Sequence, residues 1–334
     1  IRVVREDPIK KGLLFAGTEF GIYVSLDNGN TWSKFQKNLP ITPITDLKIH
    51  RNDLVISTMG RSFWILDDIN FLRNEINKSN PFVVKPSEAI RYQYNIPQIK
   101  INNYLEPGVF IDYYLGKDDY EKISISIFNE KGRLINSFTN NSDNNKDISD
   151  YNMQMNEFIN TKTPLVTTKE GYNRFRWDLR HEGIVNKDKS KNIKGPFVKP
   201  GKYKVQVSVD QQFLISNEFS VIKDPNTDVS QNALIELEKF QLDILEKIKR
   251  AINIKNEIKI YKSKKGLSKA KREKFNKILD ELETKDGNYM QPMLIDQLKY
   301  LYSMVNKADQ VLGEDAYNRH KELSIKLEVI TKKI

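Results

Sequence analysis

The sequence predicts a multidomain protein of mixed β and α class: the last blades of a β-propeller, an immunoglobulin-like β-sandwich and a C-terminal antiparallel helical bundle. Three observations predict this. The first part repeats with a step of forty residues, the middle alternates apolar and polar residues, and the last part has apolar residues at steps of three and four. The 334 residues suffice for two or three domains. We place these at 1–72, 82–223 and 224–334.

The N-terminal repeat consists of two apolar segments that match at a constant offset. Residues 14–18 match residues 54–58, and Asp27 matches Asp67. A step of about forty residues built of short strands is the length of a propeller blade. Two blades cannot close a ring, and the chain begins at Ile1 within an apparent strand. We therefore expect further blades upstream, where any signal peptide would also lie.

The first copy contains the pattern S-x-D-x-G-x-T-W, known as an Asp box. Its defined positions are Ser25, Asp27, Gly29, Thr31 and Trp32. Asp27 is a short acceptor that can bond backbone amides across a hairpin turn. Gly29 can supply a positive φ, and Trp32 can cover the turn with its apolar ring. We therefore assign these five residues a structural role and not a catalytic one.

Segments on both sides of the Asp box are similar to a known family. Residues 17–25 and 60–68 resemble bacterial sortilin-like BNR-repeat propeller proteins, which are often labelled glycosyl hydrolases. The likeness extends over the whole chain and includes residues 175–180, residues 200–205 and the C-terminal helices around Ala316 and Tyr317. It implies a large secreted or surface protein with a sortilin-type propeller, and no proven reaction. Family members usually carry a histidine where this chain has Met59, so a role of that histidine is not implied here.

Glu19 and Arg61 are the candidate binding residues. Both lie near strand turns, where a propeller can present a ligand face. The structural alternative is a salt bridge between adjacent blades. Glycoside hydrolysis needs two carboxyl groups, or a tyrosine nucleophile with its acid, facing one sugar. Glu19, Arg61, Asp67 and Asp68 are the only suggestive set in the propeller part, and Asp67 matches the Asp-box Asp27. We therefore predict no catalytic residue.

The middle region has the period-two pattern of half-buried strands. Apolar residues alternate with polar ones over 203–209, and 213–221 is expected to pair back as a hairpin. Further strands are expected at 109–115, 122–128 and 133–138. Together these elements predict an immunoglobulin-like sandwich, which is usually a spacer or a binding module.

The last region has four apolar stripes at helical spacing. Asp228 with Gln231 is predicted to cap the first helix, and Ser268 the second. The third stripe runs over 294–312, and His320 lies on the fourth. These stripes predict an antiparallel helical bundle, with His320 as a packed core histidine.

Composition excludes several kinds of site. The chain has no cysteine, which excludes disulfides, thiol chemistry and cysteine-ligated zinc. The three histidines are far apart in sequence, and no glycine-rich phosphate loop is present, so we predict no metal and no cofactor. Residues 143, 145 and 147 begin like a calcium loop, but Ile148 replaces its glycine.

The net positive charge leaves nucleic-acid binding open as a weaker alternative. The net charge is +10, with lysines in all three regions and a dense basic stretch at 262–274. We interpret this stretch as a solvated helix–helix turn, so nucleic-acid binding rests on charge alone and is not favoured. No run of about 18 apolar residues exists, so no membrane span is predicted.

Two functions remain after these exclusions. The first is a non-enzymatic extracytoplasmic binding or scaffold protein, located in the periplasm, at the cell surface or outside the cell. Its propeller face would bind an unidentified protein, peptide or glycan, and upstream blades would be a further partner. The alternative is a sialidase-like glycoside hydrolase whose catalytic residues lie mostly on upstream blades. We lean against enzymatic activity for this chain.

Overall fold

The computed structural model describes residues 1–74, 81–93, 108–140, 166–185, 192–210, 212–264, 266–285, 287 and 289–334. The predicted mixed β and α class is confirmed, with several antiparallel sheets and four α-helices in these residues. Within the same ranges no sheet closes into a barrel, and no complete propeller ring is formed.

The strands are β1 Val3–Glu6, β2 Leu14–Thr18, β3 Gly21–Ser25, β4 Ser33–Lys34, β5 Ile44–His50, β6 Asp53–Thr58, β7 Phe63–Leu66, β8 Phe82–Val83, β9 Ala89–Arg91, β10 Val109–Leu115, β11 Ile123–Asn129, β12 Leu134–Thr139, β13 Gly171–Trp177, β14 Gly201–Val209 and β15 Gln212–Lys223. The helices are α1 Gln231–Ser263, α2 Lys269–Leu282, α3 Leu294–Val305 and α4 Glu314–Lys332, and a short 3-10 helix spans Ile69–Arg73.

The first seven strands form two antiparallel sheets, which we call the N-terminal sheets. Their strand orders are β1-β2-β3-β4 and β5-β6-β7, so residues 14–18 and 54–58 lie in different sheets. Apolar side chains from both sheets share one buried core. The sheets approach closely at Gly17, because a β-carbon there would lie 2.6 Å from Cγ2 of Ile44. Only glycine fits this contact without displacing its neighbours.

The next eight strands form two further sheets, which we call the central sheets. Their orders are β13-β10-β8 and β12-β11-β14-β15-β9. The alternating apolar residues of both sheets form one core, at whose centre Trp177 is fully buried. The expected hairpin of β14 and β15 is present. The parallel pairing of β9 with β15, which places Ala89 beside Val221, was not predicted from the sequence.

The four helices share a third core. Two details of the helices differ from the sequence prediction. Ser230 caps α1 by accepting a hydrogen bond from the Ala233 N–H, so the predicted pair of Asp228 and Gln231 is wrong. Ser268 caps α2 as predicted. Helix α3 ends at Val305, which leaves the last part of the predicted 294–312 stripe outside the helix.

His320 is half-buried on α4, with its ring centroid 4.9 Å from that of Phe240. Its Nε2 lies 2.8 Å from Asp243 Oδ2. Burial lowers the pKa of His320, and Lys247 acts in the same direction. The histidine therefore packs among helical side chains. None of the helices, over the residues described for them, is long and apolar enough to cross a membrane.

Candidate functional site

The hairpin turn at Asp27 is held by hydrogen bonds within the S-x-D-x-G-x-T-W pattern. Asp27 Oδ1 accepts from the Thr31 N–H and from Ser25 Oγ, both at 2.8 Å, and Thr31 Oγ1 donates to Asp27 Oδ2 at 2.5 Å. Gly29 has a φ of +88°, and Trp32 Nε1 donates to its carbonyl at 3.1 Å. Trp32 lies just before β4 and not within it. Both Asp27 carboxylate oxygens are therefore used inside the turn.

Replacing Asp27 with alanine is expected to loosen this turn, because the Thr31 N–H and hydroxyl lose their acceptor. Hydrogen bonds from Thr31 lower the pKa of Asp27 below 3.8, so the turn's stabilisation is present above that pH and is lost as the pH falls through the lowered pKa. Amide hydrogen exchange should be faster at Thr31 and Gly29 in the alanine variant. An Asp27→Asn control keeps one side-chain acceptor. Its exchange rates should lie between those of the wild type and those of the alanine variant. Unchanged exchange in the alanine variant would contradict the assignment.

Glu19 and Arg61 are both exposed, and the structure does not pair them. Glu19 Oε1 instead accepts from Arg2 Nε at 2.7 Å. Arg2 precedes β1 of the same sheet, so the structural alternative of a salt bridge between adjacent blades is wrong for Glu19. The Arg61 backbone closes its own turn, since its N–H donates to Thr58 Oγ1 and its carbonyl accepts from Trp64 Nε1. Its guanidinium makes no ion pair with the residues that the structure describes.

Asp67 and Asp68 follow β7 where the N-terminal sheets meet the central sheets. Burial raises the pKa of both carboxyl groups, and Asp53 adds to the effect at Asp67. Asp68 has a φ of +46° and caps the 3-10 helix by accepting from the Asn70 N–H at 3.1 Å. Ser87 Oγ donates to the same Asp68 oxygen at 3.1 Å. Raised carboxyl pKa values often mark functional sites, but buried polar networks produce them as well.

Replacing Asp68 with asparagine is expected to make stability less dependent on pH. Because the folded pKa is raised above 3.8, the folded chain binds the extra proton, and the stability from protonated Asp68 is lost as the pH rises through the raised pKa. Asparagine tolerates positive φ and keeps an acceptor for Asn70 and Ser87. In urea unfolding at several pH values, the free energy of unfolding of the variant should therefore rise relative to that of the wild type as the pH rises. Exposed Asp228→Asn is the matched control, and parallel pH curves for Asp68→Asn would contradict this account.

We use the name junction arginines for Arg73, Arg174 and Arg91, which make polar contacts where the two N-terminal sheets, the central sheets and the helices meet. Arg73 connects the two N-terminal sheets: its guanidinium lies 2.9 Å from Asp7 Oδ2 and donates to Asn52 Oδ1 at 2.6 Å. The Asp7 side chain is fully buried. Burial raises the pKa of Asp7, but hydrogen bonds from Arg73 and nearby backbone N–H groups outweigh this and hold it below its ordinary value.

Arg174 connects the N-terminal sheets to the central sheets. Its Nε and one terminal nitrogen donate to both oxygens of Asp112, at 2.7 and 2.8 Å. Its terminal nitrogens also donate to the carbonyls of Asp67 and Asp68, at 2.7 and 2.6 Å. The guanidinium carbon lies 4.4 Å from the centroid of the Phe110 ring. This one side chain therefore bonds a buried carboxylate and two backbone carbonyls of the neighbouring region.

Arg91 connects the central sheets to the helices. Its side chain is 2% exposed, pairs with Asp309 beyond α3, and donates from Nε to the Val198 carbonyl at 2.8 Å. Asp309 Oδ1 has no hydrogen-bond partner among the described residues, so the pair with Arg91 is what compensates its burial. Nearby, His181 Nε2 lies 2.8 Å from Glu238 Oε1 of α1.

The five-stranded central sheet also carries a surface depression of about 330 Å³. Its lining mixes both charges with two aromatic residues and includes Phe128, Tyr203, Glu130, Lys202, Lys204 and Glu218. Across the described residues no group of three or more His, Asp or Glu side chains is arranged to hold a metal ion. The calcium-like segment at 143–147 lies outside those residues.

A scan of the chain against models of protein families finds no match, and a search of curated proteins finds none either. The resemblance to sortilin-like BNR-repeat proteins therefore stays a prediction from the residues quoted above. The geometry of the turns and of the junction arginines stands independently of it.

Sequence reasoning found the Asp27 turn and missed the junction arginines. One signal was available. Asp112 interrupts the otherwise apolar strand β10, and Arg174 lies in β13, which ends on the buried Trp177. A charge within a buried strand requires a partner, so these two residues form a natural pair. Asp7 and Asp309 lie outside strands and helices and gave no comparable signal.

Proposed function

We propose that this chain is a non-enzymatic, extracytoplasmic binding or scaffold protein of the sortilin-like BNR-repeat class. In this proposal the N-terminal sheets are the last blades of a propeller, the central sheets an immunoglobulin-like sandwich and the helices an antiparallel bundle. The observation that carries the proposal is the placement of the junction arginines, one at each contact between successive parts. A scaffold must hold its modules in fixed relative positions, and buried arginine–carboxylate pairs with backbone contacts favour this.

Exposed apolar residues on the N-terminal sheets support a role for these sheets in binding. Strand β7 is the outer strand of its sheet, and on it Phe63 is 75% exposed and Ile65 is 58% exposed. In the first sheet the corresponding edge of β3 is covered by β4. An uncovered edge strand with apolar side chains favours pairing with a further strand. We propose further blades of the same protein as the partner at this edge, with Glu19 and Arg61 beside the ligand face.

Paired spin labels can test the scaffold proposal, because the chain has no native cysteine. Labels at Lys48→Cys on β5 and Lys321→Cys on α4 report the distance between the N-terminal sheets and the helices. The expected distance distribution is a single narrow peak that broadens when Arg91→Met is added. Exposed Arg133→Met is the matched control and should leave the peak unchanged. A broad distribution in the parent protein would overturn the scaffold proposal.

A second measurement separates binding from hydrolysis. The purified chain is expected to show no turnover of sialyl, galactosyl or glucosyl chromogenic substrates. Turnover that disappears with Glu19→Gln or Asp68→Asn would overturn the non-enzymatic proposal in favour of a glycoside hydrolase.

A further inference from the structure

The chain's positive charge is concentrated where α1 turns into α2, a segment that we call the basic tip (residues 255–277). It contains ten basic and two acidic residues, a net charge of +8 against +10 for the whole chain. Lys255 and Lys259 pair with Glu283. The remaining basic side chains described at the tip are exposed, except the half-buried Lys262, and make no ion pair with described residues: Lys262, Lys264, Lys269, Lys271, Arg272, Lys274 and Lys277.

The basic tip lies far from the junction between the helices and the central sheets. Glu238 of α1 is at that junction, beside His181. Tyr261 follows twenty-three residues later in the same helix, which corresponds to about 35 Å at 1.5 Å per residue. The tip therefore lies at the opposite end of α1 from this junction.

Two large apolar side chains are exposed among these charges. Ile260 is 61% exposed and Tyr261 is 51% exposed. The Lys264 ammonium lies 4.8 Å from the centroid of the Tyr261 ring. Phe275 of α2 is 6.5 Å from the same ring, centroid to centroid. The tip thus combines exposed positive charge with an aliphatic and an aromatic group at one end of a helical hairpin.

We propose that the basic tip docks on an anionic phospholipid surface without crossing it. Lysine-rich helices with exposed aliphatic and aromatic groups bind at the headgroup layer, where the apolar groups enter and the lysines reach the lipid charges. Nine of the ten basic residues are lysine and one is arginine. Lysine acts as a point charge suited to a diffuse surface, whereas nucleic-acid phosphates favour the arginine fork. The inference depends only on the tip and not on the proposed function.

Vesicle co-sedimentation of the full chain tests this proposal. We expect binding to vesicles of phosphatidylcholine with 30% phosphatidylglycerol, weakening as salt rises, and none to phosphatidylcholine alone. Each lysine near such a surface strengthens binding about fivefold. A triple variant Lys269→Glu, Lys271→Glu and Lys274→Glu should therefore lose about a hundredfold or more in affinity. The matched control carries Lys48→Glu, Lys202→Glu and Lys204→Glu on the sheets and should bind far more tightly than the tip variant.

A second variant separates lipid from soluble polyanions. Ile260→Ser with Tyr261→Ser should weaken vesicle binding and leave binding to heparin unchanged, because only lipid accepts the apolar groups. Circular dichroism confirms that each variant keeps its helices. Equal vesicle binding by the tip and control triple variants would overturn the proposal. So would vesicle binding that is indifferent to Ile260 and Tyr261 while duplex DNA binds more tightly, since that result assigns the tip to nucleic acid.

Discussion

Arg91→Ala is expected to lower the free energy of unfolding by about 3–5 kcal/mol, the range for breaking a buried ion pair. The substitution leaves the Asp309 carboxylate, which is itself only 10% exposed, without its cation. The Val198 carbonyl also loses the hydrogen bond from Arg91 Nε. Urea unfolding followed by intrinsic tryptophan fluorescence, to which the buried Trp177 contributes, measures the effect.

Two further variants define what the Arg91 result means. Exposed Arg133→Ala is the matched control, and a surface change of this kind should stay within about 0.5 kcal/mol of the wild type. Arg91→Met combined with Asp309→Leu removes both charges and should recover much of the loss, because no unpaired charge is left buried. If the free energy of unfolding of Arg91→Ala lay within about 1 kcal/mol of that of the wild type, the Arg91–Asp309 pair would not stabilise this junction.

Arg174→Ala is expected to destabilise the chain by about 3 kcal/mol, at the lower end of the same range because its side chain is 28% exposed. Three acceptors lose their donor: the Asp112 carboxylate and the carbonyls of Asp67 and Asp68. Because two of the acceptors belong to the preceding region, the loss should extend beyond the central sheets. Hydrogen exchange should therefore quicken around Asp67 as well as around Asp112.

The conservative variant tests this geometry. Lysine keeps the charge of Arg174 but cannot reach Asp112 and two carbonyls at once, so Arg174→Lys should recover only part of the loss. Full recovery by lysine would mean that charge alone matters. If the faster amide hydrogen exchange in Arg174→Ala were confined to the central sheets, the hydrogen bonds to Asp67 and Asp68 would not stabilise the junction.

The parts of the fold that follow local rules were predictable from sequence. The β10 range was predicted to the residue, and Ser268 was correctly expected to cap α2. The Asp27 turn was predictable for the same reason, because all of its bonding partners lie within eight residues.

The missed features depend on residues far apart in the chain. Arg91 and Asp309 are separated by 218 positions, and Arg73 and Asp7 by 66. No local sequence pattern encodes such pairs, because each residue taken by itself is indistinguishable from an ordinary surface charge. The predicted cap of α1 was wrong for a local reason. Ser230 and Asp228 are both favourable capping residues, and only the backbone conformation decides between them.

The parallel pairing of β9 with β15 also sets an order of events during synthesis. Ala89 leaves the ribosome 132 residues before its partner Val221, whereas paired residues within the N-terminal sheets are at most fourteen positions apart. Contacts between distant residues form slowly, because a long loop must close first. The N-terminal sheets can therefore fold while the chain is still growing, and the central sheets are completed only after β15 emerges. Until then the strand that carries Arg91 has no neighbour, so a translational pause before residue 221 would expose an unpaired β9 to aggregation.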